Sequence, residues 1–232
     1  MKTVLVDYRI DNIEKKNLEQ LGYKVLPVPP SDILYEAVCG HPDMLLHIID
    51  CKTVIVHKDM DLNFTSKLLE LGITVNFTNL SLQNKYPDNI ILNAVNLDSL
   101  FIHTLKYTDI ELLKQTQNKN IKNVKQGYTK CSTAIISNSA LITSDKGIAA
   151  CAQEEDLDVL LLPPGDILLP GLNYGFIGGC CGLLEEGLLA FYGDLKHYAY
   201  GKEVMNFLIK HKVNPLFLRE GKLIDRGSIF TI

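Results

Sequence analysis

Hydrophobic positions in this chain fall in short runs, and the runs repeat. Lys2-Thr3-Val4-Leu5-Val6-Asp7 returns almost residue for residue as Lys52-Thr53-Val54-Ile55-Val56-His57. A short apolar run between polar ends is the pattern of a strand covered on both faces. At the same offset in each copy come Leu18 to Val25 and Leu68 to Val75, each apolar at helical spacing up to a glycine, Gly22 or Gly72. Each copy therefore predicts strand, helix closed by glycine, strand. Asp11, with Glu14 three residues on, has the capping-box pattern for a helix running to about Leu21, and Pro29-Pro30 ends the returning strand Val25 to Val28. Self-similarity at such a period marks a repeat architecture.

The second copy has an extra strand in front of it, His47-Ile48-Ile49, which makes the unit β-β-α-β. Its remaining parts are Thr53 to Val56, a helix Asn63 to Leu71 and Thr74 to Phe77. A third unit reads Ile90 to Val95, Leu100 to His103, a helix Asp109 to Gln115 and Ile121 to Val124. A fourth reads Thr133 to Ser137, Ala140 to Thr143, a helix Lys146 to Gln153 and Val159 to Leu162. A fifth reads Gly175 to Gly179, Leu188 to Tyr192, a helix Lys202 to His211 and Pro215 to Leu218. The entry sequences His41-Pro42-Asp43 and Tyr86-Pro87-Asp88 match each other. The first unit lacks its leading strand, and Leu223 to Ile232 is a strand pattern with nothing after it. The tail supplies the missing strand, so Ser228 to Ile232 is expected beside Thr3 to Val6. The result is a ring of five units in one domain, 1–232, with no open sheet edge. A doubly wound open sheet also alternates strands and helices. It accounts neither for two strands before each helix nor for the orphan tail.

Composition adds limits. The chain has 232 residues, is 47% hydrophobic and carries a net charge of −4, with no block of like charge. No nucleic-acid surface is expected from this. Apolar runs such as Val159 to Leu162 are too short to cross a bilayer, and no signal-peptide pattern opens the chain, so a soluble, cytoplasmic protein is expected. The six cysteines form no C-x-x-C pair, and no histidine or aspartate cluster has metal-site spacing. Nucleotide-binding glycine motifs are absent. No cofactor and no metal are expected.

Five β-β-α-β units closed by the terminal strand resemble the pentein fold, the α/β propeller of arginine deiminases, amidinotransferases and dimethylarginine dimethylaminohydrolases. The runs Gln126 to Ser132 and Pro163 to Gly171 resemble a clostridial-type family of that fold. The resemblance implies a small guanidino or amidino, amino-acid-like substrate held where the leading strands meet, and thiol-based covalent catalysis. Where those enzymes carry histidine, this chain reads Lys130-Cys131-Ser132-Thr133. Where they carry the nucleophilic cysteine, it reads Asp225-Arg226-Gly227-Ser228. The ribosome anti-association factor shares the fold without the chemistry, so a non-catalytic binding or scaffold protein is the alternative.

Equivalent positions on leading strands form rings about the axis. One ring reads His47, Asn93, Thr133, Cys181 and Ile229, and another reads Asp43, Asn89, Thr129, Ile177 and Asp225. Bulges shift such registers by one. Cys181 is the first candidate nucleophile, with His47 as its base and Gly178, Gly179 and Gly182 leaving backbone amides open to an oxyanion. Its bland counterpart is a packed thiol and a hydrogen-bonded core histidine. Cys131, beside Lys130, is the second candidate. Asp225 and Arg226 are candidates for the charged ends of a ligand, or for a structural ion pair. Asn93 is a candidate to orient substrate. Pro163 to Gly171, with Asp166, is a candidate lid over the axis.

Overall fold

A computed structural model describes residues 2–232. The first unit is β1 (Thr3–Asp7), α1 (Asn12–Gln20) and β2 (Lys24–Val28). The second is α2 (Pro42–Leu45), β3 (Leu46–Asp50), β4 (Thr53–Val56), α3 (Leu62–Glu70) and β5 (Thr74–Phe77). The third is β6 (Val95–Asn96), β7 (Leu100–His103), α4 (Ile110–Thr116) and β8 (Asn120–Asn123). The fourth is β9 (Thr133–Ser137), β10 (Ala140–Thr143), α5 (Lys146–Gln153) and β11 (Asp158–Leu161). The fifth is β12 (Cys181–Glu185), β13 (Leu188–Phe191), α6 (Gly201–Lys210) and β14 (Asn214–Phe217), and β15 (Phe230–Thr231) ends the chain.

These elements make five separate three-stranded sheets. In each, the middle strand pairs antiparallel with the leading strand and parallel with the strand after the helix. The tail closes the first sheet: Val4 faces Thr231 and Leu5 faces Phe230. Thr3 and Ile232 exchange two backbone hydrogen bonds of 2.9 Å. This is the expected five-unit α/β propeller, except that the sheets are separate, so each keeps open outer edges instead of joining into an edgeless ring. Register shifts mark bulges in β3, β9 and β12.

Local chemistry sets the helices. Aspartate caps recur: Asp61 accepts from the Phe64 amide, Asp109 from Glu111 and Asp145 from Ile148, at 2.8 to 2.9 Å. Each cap satisfies an amide that the helix leaves without a partner. The Glu14 carboxylate accepts the Asp11 amide at 2.9 Å, the reciprocal half of a capping box. The middle strands β1, β7 and β10 are buried at every position. Each Val, Leu or Ile removed from water there contributes about 1.5–3 kcal/mol. Helices α1, α3, α5 and α6 each pack against the strand that follows them.

Two expected leading strands are not strands. Ile90 to Ala94 is a buried turn, and only Val95–Asn96 pairs. Ile177 to Cys180 is a turn of 3₁₀ helix, and the strand begins at Cys181. Both segments are apolar because they are buried among neighbouring units, so their composition mimics a strand.

Candidate active site

Every leading strand is preceded by a segment that dips into the ring axis: α2, the turn around 90–93, the turn around 128–132, the 3₁₀ turn 177–180, and the turn 225–228. Backbone and amide hydrogen bonds stitch these five segments into a closed circuit. Asp43 N–H donates to Gly227 O at 3.0 Å, and Asn93 Nδ2 donates to Asp43 O at 2.9 Å. Lys130 N–H donates to Asn93 O at 3.1 Å, and Gly179 N–H to Cys131 O at 3.1 Å. Ser228 N–H returns to Gly179 O at 2.9 Å. The axis is therefore a rigid polar plug rather than a pore.

The glycines expected to expose backbone to a ligand serve this plug instead. A Cβ on Gly178 would meet Thr133 O at 2.2 Å, one on Gly179 would meet Asp225 Oδ1 at 2.0 Å, and one on Gly182 would meet Ile229 O at 1.9 Å. Only glycine lets the neighbouring segments come so close.

Side chains from four of the five segments converge in the plug, and the 177–180 turn contributes backbone. Cys131 Sγ donates to Asp43 Oδ1 at 3.2 Å and lies 3.1 Å from Asn93 Nδ2. Asn93 Oδ1 accepts the amides of Lys130 and Cys131 at 2.9 and 3.1 Å. Ser228 Oγ sits 2.6 Å from Asp43 Oδ2 and receives Lys130 Nζ at 2.9 Å. Asp225 accepts the amides of Phe176 and Gly227 at 2.8 and 3.0 Å. His41, 1% exposed, sets Nδ1 3.7 Å from Asp225 Oδ1 and Nε2 4.0 Å from Asp7 Oδ2, and neither nitrogen has a hydrogen-bond partner.

On one side the plug floors a cavity of about 260 Å³. Cys131, His41 and Asp225 line it below, and Tyr35, Tyr128 and Leu169 wall it. Leu169 belongs to the expected lid, so that segment does border the axis. On the opposite side lies a cavity of about 400 Å³, lined among others by His47, Lys130, Cys181 and Phe230.

Burial controls the protonation states. It pushes the Cys131 thiol well above its ordinary pKa, and Asp43 and Asp225 push it further. Burial likewise raises Asp43, against the pull of the Lys130 ammonium, and Asp225, against the pull of His41. It lowers His41 despite two nearby carboxylates. The resting site is thus a neutral thiol and a neutral imidazole beside carboxylates that ionise reluctantly.

Cys181 and His47 line the same 400 Å³ cavity but are not hydrogen-bonded to each other. His47 Nδ1 bonds Leu92 O at 3.0 Å, and Cys181 Sγ donates to Ile177 O at 3.3 Å. Arg226 serves the scaffold: it donates to Arg9 O at 2.7 Å and to Asp11 at 3.0 Å. Asp166 does too, holding Lys222 at 2.7 Å and the Ala199 amide at 2.8 Å. Gly227 stands where the resemblance places a nucleophilic cysteine. It has φ of +69°, and a Cβ there would meet His41 Cβ at 2.2 Å. An imidazole fills the space that a thiol side chain needs. His41, Asp7 and Ser228 are the members of the site that the sequence reading passed over. The signal for His41 was its place in His41-Pro42-Asp43, where proline opens a helix and sets the residue before it as the N-cap.

Buried neutral imidazoles also fix a pH dependence. Burial takes His47 and His57 down to about 4 and His103 to about 3, from 6.5. Folded values below the unfolded one mean stability that is present above pH 6.5 and lost as pH falls toward 4. Asp43 and Asp225, raised in the fold, act with the opposite sign and offset part of the loss. Urea unfolding is expected to show a net loss of stability from pH 6.5 to 4. A His103→Gln variant is expected to show a shallower slope. Equal slopes in the two proteins would contradict the assignment.

Comparisons with solved structures identify the fold. The chain superimposes on the amidinotransferase SxtG from Microseira wollei, of the saxitoxin pathway, with TM-score 0.57 and 10% identity over 93% of this chain and 87% of that one. It superimposes on a dimethylarginine dimethylaminohydrolase from Pseudomonas aeruginosa complexed with citrulline with TM-score 0.51 and 8% identity, covering 93% and 92%. It matches the inosamine-phosphate amidinotransferase StrB1 from Streptomyces griseus with TM-score 0.51 and 11% identity, covering 88% and 72%. Likeness at this identity establishes the pentein fold. No curated protein matches the chain by sequence. A family model described as "Family of unknown function (DUF6873)" matches residues 5–230.

Proposed function

The chain belongs to the family DUF6873, and we propose that its 260 Å³ axial cavity is a pentein-type active site for a small guanidino or amidino compound, with Cys131 as the nucleophile. The observation that carries this reading is the convergence of Cys131, His41 and Asp225 on one cavity floor, with Asp43 directly behind the thiol. The thiol and the imidazole have exchanged places relative to the resemblance: Cys131 stands in the histidine motif, and His41 fills the space beside Gly227.

A guanidinium seated on Asp225 offsets the negative field that holds Cys131 protonated. Asp43, whose affinity for a proton is raised by burial, lies 3.2 Å from Sγ and accepts the thiol proton. The Cys131 sulfur forms a bond to the guanidino carbon. The C–N bond to the departing amine breaks, and the amine leaves with the proton held by Asp43. Water or an acceptor amine, deprotonated by His41, then displaces the Cys131 thiolate. Asn93, anchored to both neighbouring segments, fixes the thiol by its amide. Ser228 Oγ donates to the other oxygen of Asp43, and Lys130 in turn donates to Ser228 Oγ.

A second reading, ligand binding without turnover, is favoured by the elevated Cys131 pKa. Incubation with a panel of guanidino compounds, followed by peptide mass spectrometry, separates the two. Turnover is expected to give a ureido product or a transferred amidino group, with an amidino adduct on the Cys131 peptide. Binding with no adduct and no product would leave the second reading. An adduct on the Cys181 peptide would move the chemistry to the opposite cavity.

A further inference from the structure

The walls of the axial cavity specify more than a cation. Tyr174, Phe176, Tyr128 and Tyr86 form a row of rings, with neighbouring centroids 6.2, 6.1 and 5.6 Å apart. The two ends of the row, Tyr174 and Tyr86, are 43% and 51% exposed. The row thus reaches solvent, and Tyr174, Phe176 and Tyr128 line the cavity.

No cation waits in that cavity for a carboxylate. The wall segments 31–41 and 165–176 contain Asp32, Glu36 and Asp166 but no lysine or arginine. Lys130, on the floor segment, turns away to Ser228 and the opposite cavity. An adjoining cavity of about 330 Å³ shares the Asp225 wall and contains Arg9 and Arg226. Arg9 is spent: Nε and Nη2 bond the two oxygens of Asp7 at 2.9 and 2.6 Å, and Nη1 bonds Glu36 O at 2.7 Å. Arg226 is held by Asp11 and by Arg9 O. A ligand carboxylate would lose its hydration here and gain only neutral donors such as Asn173 and Tyr35, with no cation to pair it. A planar cation would gain Asp225 and the ring faces. His41 lines the floor with neither ring nitrogen hydrogen-bonded among the described residues, and a neutral imidazole has one nitrogen that accepts an N–H.

We propose that the ligand is a guanidine or amidine on an apolar or aromatic stem, without the carboxylate of an amino acid. The proposal rests on the cation seat at Asp225 described above and narrows what that seat receives. Phe176 and Tyr128 grip the stem, and the missing basic residue excludes the amino acid.

Calorimetric titration of the full chain with benzylguanidine, L-arginine and the neutral isostere benzylurea tests it. Benzylguanidine is expected to bind at least about tenfold tighter than either of the others. Phe176→Ala is expected to lower benzylguanidine affinity about tenfold and to leave the weak arginine binding unchanged. Arginine binding as tightly as benzylguanidine would overturn the stem assignment while leaving the proposed chemistry intact. Benzylurea binding as tightly as benzylguanidine, or no binding by any of the three, would remove the cation seat, and the proposed function with it.

Discussion

Replacing Cys131 by alanine is expected to reduce turnover of a guanidino substrate by on the order of 10³-fold or more, to background. Among the described residues no other thiol borders the 260 Å³ cavity, so nothing substitutes for the lost S–C bond. Substrate affinity is expected to change little, because the cation is held by Asp225 and the rings. Cys131→Ser keeps the hydrogen bond to Asp43 and separates loss of the nucleophile from loss of packing. Cys181→Ser and His47→Gln are expected to leave turnover within a few-fold. Their hydrogen bonds run to Ile177 O and Leu92 O, on the far side of the plug. A Cys131→Ala protein that retains wild-type turnover would end the proposed mechanism.

Gly182→Ala is expected to be among the most damaging single methyls in the propeller. The added Cβ would sit 1.9 Å from Ile229 O and 2.7 Å from Ile229 C. Both atoms are backbone of the closing segment, which donates Ile229 N–H to Cys181 O at 3.2 Å. Neither strand can yield without opening the ring. A loss of about 3 kcal/mol or more is expected, a fall of about 6–12 °C in Tm for a chain of this size. Gly22→Ala is the control. Its φ is +87° but nothing lies within 4 Å, so only backbone strain of about 1 kcal/mol is added. Equal melting temperatures for the two variants would mean that the tail does not close against β12.

Part of the site was legible in the sequence, and the illegible part has a physical cause. Asp43, Asn93, Cys131 and Asp225 all stood among the polar residues that interrupt apolar leading segments, and polar interruptions in buried backbone are conspicuous. Their grouping was not readable. Counting back from each second strand placed Asp43 with Asn89 and Thr129, whereas the fold joins Asp43 to Asn93 and Cys131. The entry segments differ in conformation: one is a short helix, one a 3₁₀ turn and three are irregular turns. A helix advances about 1.5 Å per residue and a strand about 3.3 Å, so equal counts reach different depths. The same mixing put Cys181 and His47 together in one ring of positions, yet on the side of the axis opposite Cys131.

The sequence by itself determined the units and the capping box of the first helix, because local periodicity and capping act within a few residues. It also placed the tail beside β1, since one unit lacked a leading strand and one strand lacked a unit. Tertiary structure alone decided which polar side chains meet. The circuit from Gly227 through Asp43, Asn93, Cys131 and Gly179 to Ser228 consists of contacts between residues 37 to 185 apart in the chain. It exists only once all five units have closed around it. Closure also places the His41 side chain against Gly227.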